Sequence, residues 1–330
     1  MPSLAPAIAE IRLAVRTALA DLPEGATVIV ALSGGADSLA LAAAVAFEAP
    51  KLGLRAASLT VDHGLQHDSA EVASAAAHAA ADFGLDPLIV RVDVAGEGGP
   101  EAAAREARYR VLRDAAADVG AAAVLLGHTL DDQAETVLLG LARGSGAASL
   151  QGMAPVREDE DGVRWVRPLL GVRREKTRAF CVASDLTPWD DPHNRDDRYA
   201  RVRVRERVLP VLEDELGPGI AKALARTAEQ LREDAEAFDE MIHETIEDIV
   251  EHAEAGISVS VAALAANPAA LRNRIIRLVV DSEFGVSLTR SQTIEVARLV
   301  TDWSGQGPID LPECSAVRHG GRIVFAASGR

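Results

Sequence analysis

Apolar strands alternate with helices along the first half of the chain, and this alternation constrains the fold more than any other feature. The strand at residues 26–32 leads into the loop SGGADS and then into a helix, and the same order recurs. The predicted strands are residues 26–32, 55–61, 87–94 and 122–126, and the predicted helices are residues 39–48, 69–83, 100–119 and 130–142. Strands separated by long helices indicate βαβ units. We therefore predict a doubly wound parallel sheet of the α/β class, which binds ligands beyond the carboxyl ends of its strands.

The composition changes near residue 212, where a second domain is predicted to begin. Residues 220–253 place apolar side chains close to every 3.6 residues, with acids on the opposite face, as in a long amphipathic helix. Helices are predicted at residues 268–280 and 289–303, and short strands at residues 317–318 and 322–325 flank a His-Gly-Gly turn. The prediction is a first domain of residues 1–211 and a smaller, mainly helical second domain of residues 212–330.

Charge, cysteine content and apolar runs bound the class of protein. The 330 residues carry 34 Lys+Arg against 50 Asp+Glu, a net charge of −16, with 48% hydrophobic residues, which is a globular composition. The N-terminal helix is interrupted by charges, unlike a signal peptide, and the most apolar run, residues 39–47, is about half of a membrane span. Cys181 and Cys314 are too far apart for a zinc ribbon or a redox pair. We expect a cytoplasmic protein without membrane contact.

Two arginine-rich segments stand out against the acidic average. Residues 164–178 hold six basic side chains against one acid, and residues 198–207 hold five arginines against Glu206. Arginine suits bidentate recognition of phosphate or carboxylate, so these segments are the candidate RNA-binding surface. Arg201, Arg203 and Arg205 are the best candidates for substrate contact, and the alternative for each is a merely solvated basic strip.

The loop at residues 33–38 lies at a helix N-terminus, where free backbone N–H groups and the helix dipole favour an anion. It lacks the lysine of a Walker A loop and the spacing of a dinucleotide fingerprint. Asp37 beside a bound phosphate requires a divalent cation between them, so Mg²⁺ is implied, with Asp37 as its ligand. The alternative is an ordinary turn with an Asp-Ser helix cap. The candidate phosphate-binding residues are Ser33, Gly34, Gly35, Ala36, Asp37 and Ser38.

Six further segments follow this loop in order. They are VDHGLQHDSAEV (61–72), EAAAREARYRVL (101–112), GHTLDDQAETVLLGLARGSG (127–146), LQGM (150–153), RPLLGVRREK (167–176) and DPHNRDDRYARVRVRERVLP (191–210). The loop resembles the PP-loop of the N-type ATP pyrophosphatases, and the whole set resembles the tRNA(Ile)-lysidine synthetases over the first two-thirds of the chain. Beyond residue 210 the similarity is weaker, and the chain is similar to the short form, which lacks a distal C-terminal domain.

This resemblance implies an adenine nucleotide alpha hydrolase-like fold and an AMP-forming carbon–nitrogen ligase. Such an enzyme uses ATP and Mg²⁺ to join free L-lysine to C2 of the wobble cytidine of a CAU-anticodon tRNA(Ile). The reaction passes through an adenylated tRNA and releases AMP and pyrophosphate. The product, lysidine, changes the codon read to AUA and the amino-acid identity from Met to Ile. The expected partners are the tRNA, lysine and ATP, and a homodimer is left open.

Candidates for nucleotide contact follow the second strand and lie on the helix at residues 100–119. Asp62 and His63 end that strand, where adenine and ribose would lie if the loop holds the phosphates; the alternative is a hydrogen-bonded strand end. By the resemblance, Arg105 is a catalytic candidate and Arg108 a lysine- or tRNA-binding one. Both would otherwise be ordinary surface residues of an amphipathic helix.

The segment after the fourth predicted strand carries the candidates for lysine. Asp132 is expected to contact the lysine ammonium and accept its proton, with His128 one helical turn away as its neighbour. Asp131 and Glu135 join the lysine- or tRNA-binding set. The alternatives are that Asp131 caps the helix, that Glu135 only complements its dipole, and that His128 is an ordinary loop histidine.

Two positions depart from the family pattern, and several readings stay open. Thr129 and Val202 stand where the family usually has histidine and asparagine. The aromatic candidates for stacking on cytidine are Trp165, Trp189 and Tyr199. The rival functions are another PP-loop ATP pyrophosphatase acting on tRNA, and a non-catalytic nucleotide-binding module.

Overall fold

The computed structural model describes residues 4–64, 68–92, 100–144, 146–253 and 256–328. Residues 65–67, within the VDHGLQHDSAEV segment, and residues 93–94 of the third predicted strand lie outside this description. The chain divides into two compact units, Met1–Arg232 and Glu233–Arg330. This division falls inside a long helix, Ile220–Ile249. The predicted domain boundary at residue 211 lies before that helix, and it stays a prediction.

The first unit carries the alternating pattern. Its helices are α1 (Pro6–Leu19), α2 (Ala36–Glu48), α3 (Ser69–Phe83), α4 (Pro100–Asp118), α5 (Leu130–Ala142), α6 (Ala147–Leu150), α7 (Arg174–Ala183), α8 (Ala200–Arg203) and α9 (Leu209–Glu215). Its strands are β1 (Thr27–Ala31), β2 (Arg55–Asp62), β3 (Asp86–Arg91), β4 (Ala123–Leu125), β5 (Val156–Glu158) and β6 (Arg164–Val166). The four predicted strands and the four helices that follow them are confirmed, and β5, β6 and α7 were not predicted.

The sheet has the order β3-β2-β1-β4-β6-β5, with β5 antiparallel and every other pair parallel. The chain runs outward from β1 through β2 to β3 and then returns to the other side of β1 as β4. The loops that follow β1 and β4 therefore leave the same sheet edge in opposite directions, which opens a crevice between them. The doubly wound α/β prediction is confirmed.

Helices cover both faces of this sheet, as a parallel sheet requires. On one face α1, α2 and α7 pack together around buried Ile11, Leu41 and Phe180. On the other face Leu112 of α4 packs with Trp165 of β6. Both faces of β1 are thus buried, which explains why the residues after Thr27 are all apolar.

The second unit combines helices with an antiparallel sheet. Its elements are α10 (Ile220–Ile249, which enters from the first unit), β7 (Val250–Ala253), β8 (Gly256–Ser260), α11 (Val261–Ala266), α12 (Ala269–Phe284), α13 (Arg290–Thr301), β9 (Ile309–Leu311), β10 (Cys314–His319) and β11 (Arg322–Ala327). The sheet order is β7-β8-β11-β10-β9, and buried Val259, Ile275 and Phe325 belong to its core. The predicted strands are the β10–β11 hairpin. β9 lies in the PIDLPE segment (308–313), where the family resemblance also implied a strand. β7 and β8 were missed because runs this short carry little periodicity.

In the part of the chain that the structure describes, we find no helix with the length and apolar character needed to cross a membrane.

Candidate functional site

The loop between β1 and α2 is a tight turn packed against the segment around Trp189. Gly34 has φ +82, and the Trp189 N–H donates to its carbonyl at 2.9 Å. A Cβ on Gly34 would make ordinary contact with the Cβ of Ala76 on α3, at 3.6 Å, so the constraint here is the positive φ, which strains any residue with a side chain. Glycine at this position allows the turn to reach the N-terminus of α2.

The two serines of the loop hold its shape. The Ser33 N–H donates to Ser38 Oγ at 3.2 Å, the two hydroxyls are 3.1 Å apart, and Ser38 Oγ donates to the Gly35 carbonyl at 3.0 Å. Gly35 is the N-cap of α2, with no side-chain cap, and Ala36 begins the helix. The first N–H groups of a helix have no intrahelical acceptor, so this turn presents donors to an anion.

Asp37 occupies the first turn of α2 and is 28% exposed. It accepts a hydrogen bond from Thr177 Oγ1, and its Oδ2 lies 3.6 Å from Arg174 Nε, both on α7. Burial raises the pKa of the Asp37 carboxyl, although Thr177 and Arg174 oppose this. The turn after β4 also crosses here, since a Cβ on Gly127 would lie 3.2 Å from the Asp37 carbonyl carbon.

Thr129 and Asp132 begin α5 with a capping box. Asp132 Oδ2 accepts from the Thr129 N–H at 2.8 Å and from Thr129 Oγ1 at 2.7 Å, while the Asp132 N–H donates to Thr129 Oγ1 at 3.4 Å. Burial acts to raise the pKa of the Asp132 carboxyl, but Arg174 and the Thr129 donors outweigh it and hold the pKa below its usual value. The helix cap is therefore Thr129, and Asp132 stays ionised.

Five charged side chains meet between α2, α5, α7 and the arginine-rich segment. We call Asp37, Asp132, Glu135, Arg174 and Arg205 the acid–arginine cluster. Arg174 donates to Asp132 Oδ1 at 2.6 Å and to Glu135 Oε1 at 3.0 Å, and Arg205 Nε donates to Glu135 Oε1 at 2.8 Å. Burial opposes the charge on Arg174, but the three carboxylates raise its pKa. Glu135 is 0% exposed, so it supports the two arginines, and its direct contact with lysine stays a prediction.

The Asp131 carboxylate contacts α7 and does not cap α5, the helix to which it belongs. Its carboxylate accepts from the Arg174 N–H at 2.7 Å and from Arg173 Nε at 3.1 Å, so it binds the N-terminus of α7. The alternative role of Asp131 as the cap of α5 is wrong, because Thr129 occupies that position. This contact fixes the end of α7 from which Arg174 and Thr177 reach the site.

Three arginines surround His128 beside the strand ends. Burial lowers the pKa of His128 to about 4, with Asp132 opposing and Arg167, Arg105 and Arg108 contributing. Arg167 is buried, and burial lowers the pKa of its guanidinium. Its Nη1 donates to the Ala154 carbonyl at 2.7 Å. We call Arg105, Arg108 and Arg167 the cationic group; an anion bound beside it would be stabilised.

The second strand ends beside this group. Asp62 is buried and its Oδ1 accepts from the Gly64 N–H at 3.0 Å, as expected of a hydrogen-bonded strand end. Burial lowers the pKa of His63, and the charge of Arg108 adds to this effect. The structure thus brings His63 into the neighbourhood of the cationic group, while nucleotide contact by either residue stays a prediction.

The two other predicted arginines differ in their surroundings. Arg201 donates to Thr136 Oγ1 at 3.2 Å and lies 3.9 Å from Glu135, at the edge of the acid–arginine cluster. Arg203 is exposed and donates to the carbonyls of Asp197 and Arg198, each at 2.7 Å. Val202 between them is buried. Arg203 thus keeps its charge at the surface, where a phosphate could reach it.

Sequence reasoning gave Arg167 and Arg174 no role beyond their membership of an arginine-rich segment, and it gave Thr177 none. A signal was available, since Arg174 and Thr177 are three residues apart and so share one helix face. Trp165 is wrong as a base-stacking candidate, because it is buried, its Nε1 donates to Asp159 at 2.8 Å and its ring packs 4.9 Å from that of Tyr109.

Within the described ranges, no three His, Cys, Asp or Glu side chains are grouped closely enough to hold a metal ion. Mg²⁺ in phosphate-transfer sites usually has one or two protein carboxylates and takes its other ligands from phosphates and water. Asp37, partly exposed beside the anion-binding turn, fits that pattern.

Two family models and several known proteins match this chain. Residues 9–212 match a family model described as a PP-loop domain, and residues 260–324 match one described as the TilS substrate binding domain. A tRNA(Ile)-lysidine synthase of Leifsonia xyli subsp. xyli is 60% identical over 92% of this chain and 91% of its own. One of Salinispora tropica is 51% identical over 100% of this chain and 97% of its own.

A solved structure gives the same fold. The U34-tRNA thiolase of Methanococcus maripaludis superposes with a TM-score of 0.60 at 21% identity, over 69% of this chain and 80% of that one. At this identity the likeness concerns the fold alone.

Proposed function

Because the chain belongs to the tRNA(Ile)-lysidine synthase family, we propose that it forms lysidine by joining free L-lysine to C2 of the wobble cytidine of CAU-anticodon tRNA(Ile). The reaction consumes ATP and yields AMP and pyrophosphate. One structural observation supports the proposed chemistry. The turn at residues 33–38, which follows β1, shares Asp37 with the acid–arginine cluster, so a phosphate bound at the turn would lie beside that cluster.

In the first step the C2 oxygen attacks the α-phosphorus of ATP, which turns a poor leaving group into an adenylate. The turn at residues 33–38 would bind the departing pyrophosphate through its backbone N–H groups. Mg²⁺ held by Asp37 would neutralise phosphate charge when bound. The cationic group beside the same sheet edge supports a role for Arg105 in stabilising the developing charge.

In the second step the lysine amine attacks C2 and AMP leaves. The ionised carboxylate of Asp132 is the proposed partner of the lysine ammonium. Its lowered pKa favours charge pairing over proton acceptance. His128 is neutral above about pH 4 and borders the same carboxylate.

Contact with the tRNA is proposed for Arg203, with Arg201 and Arg205 closer to the reacting groups. The match of residues 260–324 to a substrate-binding domain supports a further contribution from the second unit. Self-association into a homodimer belongs to the same proposal, and light scattering of the purified protein measures it.

The test combines labelled ATP, Mg²⁺, lysine and a CAU-anticodon tRNA(Ile), and follows AMP release together with the mass of the wobble nucleoside. We expect AMP release to require both lysine and tRNA, and the nucleoside to gain the mass of one lysine less one water. Methionine tRNA with the same anticodon is the substrate control. AMP formation without tRNA would favour another PP-loop pyrophosphatase, and none under any condition would favour a non-catalytic module.

Two variants separate the steps. Asp37→Asn should abolish AMP formation because it removes the carboxylate beside the phosphates. Asp132→Asn should raise the KM for lysine about 100-fold, with the KM for ATP changed less than about threefold. An unchanged lysine KM in Asp132→Asn would remove Asp132 from the lysine site.

A further inference from the structure

The two carboxylate oxygens of Asp132 have different partners: Oδ1 contacts an arginine of the acid–arginine cluster, and Oδ2 accepts hydrogen bonds from Thr129. Oδ1 contacts Arg174 Nη2 at 2.6 Å, whereas Oδ2 accepts both the backbone N–H and the hydroxyl of Thr129. The terminal torsion of an aspartate is broad and roughly two-fold, so the carboxylate has no strong orientation of its own. The two Thr129 donors select the orientation that presents Oδ1 to the site.

The surroundings of Thr129 hold its side chain in the position from which it orients the Asp132 carboxylate. Its side chain is buried, it follows the turn that leaves β4, and its hydroxyl also accepts from the Asp132 N–H at 3.4 Å. A hydroxyl has one proton, and here that proton goes to Oδ2 while a lone pair receives the backbone donor. The side chain therefore serves the helix cap and the carboxylate together.

We infer that Thr129 is a positioning residue for the reaction, which acts by orienting the Asp132 carboxylate toward the bound lysine. The inference rests on the proposed function, in which Asp132 meets the lysine ammonium. It concerns a position where this chain departs from the usual family residue.

The experiment separates this role from ordinary helix capping. Thr129→Val is nearly isosteric and removes the hydroxyl, Thr129→Ser retains it, and Thr129→Ala is the second variant if the valine methyl group prevents folding. Thr289, with Gln292, forms the same kind of capping box at the start of α13. Thr289→Val therefore calibrates what loss of a threonine cap does to the thermal midpoint and, through it, to the kinetic constants.

We expect Thr129→Val and Thr129→Ala to lower kcat/KM for lysine about 10-fold, while the KM for ATP stays within about twofold. The backbone N–H of residue 129 remains in both variants, which is why the loss should be smaller than in Asp132→Asn. Thr129→Ser should recover activity to within about threefold of wild type. The thermal midpoint should fall more in Thr129→Val than in Thr289→Val, because Thr129 is buried and Thr289 is exposed.

Two results would overturn the inference. In the first, Thr129→Val changes the lysine constants no more than Thr289→Val does; in the second, Thr129→Ser is as impaired as Thr129→Val. Failure of the proposed function looks different, because the wild-type protein would then release no AMP that depends on lysine and tRNA, and there would be no lysine KM to compare. A normal Thr129→Val beside an impaired Asp132→Asn would reject the positioning role alone.

Discussion

Arg174 is the residue on which the charges of the site converge. Its guanidinium is only 14% exposed and lies within 3.6 Å of three carboxylates, from Asp37, Asp132 and Glu135. A buried cation in this setting is stable because the acids compensate for its lost hydration, and each acid in turn depends on it. The anion-binding turn and the acids at the start of α5 are therefore electrostatically linked through one side chain.

Arg174→Met should remove this link. We expect the free energy of unfolding to fall by about 3 kcal/mol, because buried carboxylates are left without a partner, and kcat/KM for lysine to fall about 100-fold. Urea denaturation and AMP release measure the two effects. Arg174→Lys keeps the charge but not the forked geometry, so it should restore stability more than activity; equal recovery of both would contradict the model of a geometric role.

His128 should make stability sensitive to mild acid. Its folded-state pKa of about 4 lies below the ordinary value of 6.5, so the unfolded chain takes up the proton first as the pH falls. Stability contributed by neutral His128 is thus complete above about pH 6.5 and is lost toward pH 4, by about 2–3 kcal/mol. Denaturation of wild type and His128→Gln at pH 7 and pH 5 should give a shallower dependence for the variant. Parallel curves would argue against a buried neutral histidine.

At the scale of elements, the site depends on helix ends that approach one another closely. The turn after β4 crosses the first turn of α2 with Gly127 against it, and Asp131 at the start of α5 binds the first turn of α7. Asp37 and Thr177, which these helices carry, come into contact across 140 positions of sequence. The packing of helix N-termini around one sheet edge therefore sets the geometry of the charges.

Gly127→Ala tests this close approach. The added Cβ would lie 3.2 Å from backbone atoms of Asp37 and Ser38, which cannot move away as a side-chain end could. We expect the free energy of unfolding to fall by about 1–3 kcal/mol and the KM for ATP to rise. Gly171→Ala, where a Cβ meets nothing within 4 Å, is the matched control and should be nearly neutral. Similar effects of both substitutions would reject a specific contact.

The junction of α1 and α2 contains a buried carboxylate whose charge stabilises the fold. Glu48 accepts from Arg16 Nε at 2.9 Å and lies 3.7 Å from Lys51. The Arg16 hydrogen bond lowers the pKa of Glu48, against the effect of burial. Its stabilisation is present above the unfolded-state pKa of about 4.5 and is lost as the pH falls through the lower folded-state value.

Glu48→Gln should therefore cost about 1–2 kcal/mol at pH 7 and progressively less below about pH 4.5. Denaturation across this pH range measures the difference from wild type. A difference that stayed constant with pH would mean that packing, and not charge, is responsible.

At the scale of the whole molecule, an enzyme with a net charge of −16 has to bind a polyanion. The global field repels tRNA, so association depends on local arginine-rich surface. Arg198 and Arg207 in this segment are paired with Asp196 and Asp197. Arg203 donates to backbone carbonyls, which leave its charge uncompensated at those contacts.

Arg203→Gln should weaken tRNA binding and reduce the slope of log affinity against log salt concentration by about 1. The KM for lysine should change little if the effect is confined to phosphate contact. Arg55→Gln is the matched control, since Arg55 is exposed at the start of β2, on the opposite edge of the sheet. Equal losses in the two variants would indicate only a general effect of charge.

The sequence by itself determined the doubly wound sheet, the bounds of α3 and α5, and the position of the glycine-rich loop before α2. These follow from local periodicity and from a contiguous glycine-rich turn, which residues close in sequence are sufficient to specify. Only the tertiary structure decided that Thr129 and not Asp131 caps α5, that Glu135 is enclosed by arginines, that Trp165 is a core residue, and that Arg174 and Thr177 reach Asp37. Burial and charge pairing depend on distances between segments far apart along the chain, and no local pattern encodes those distances.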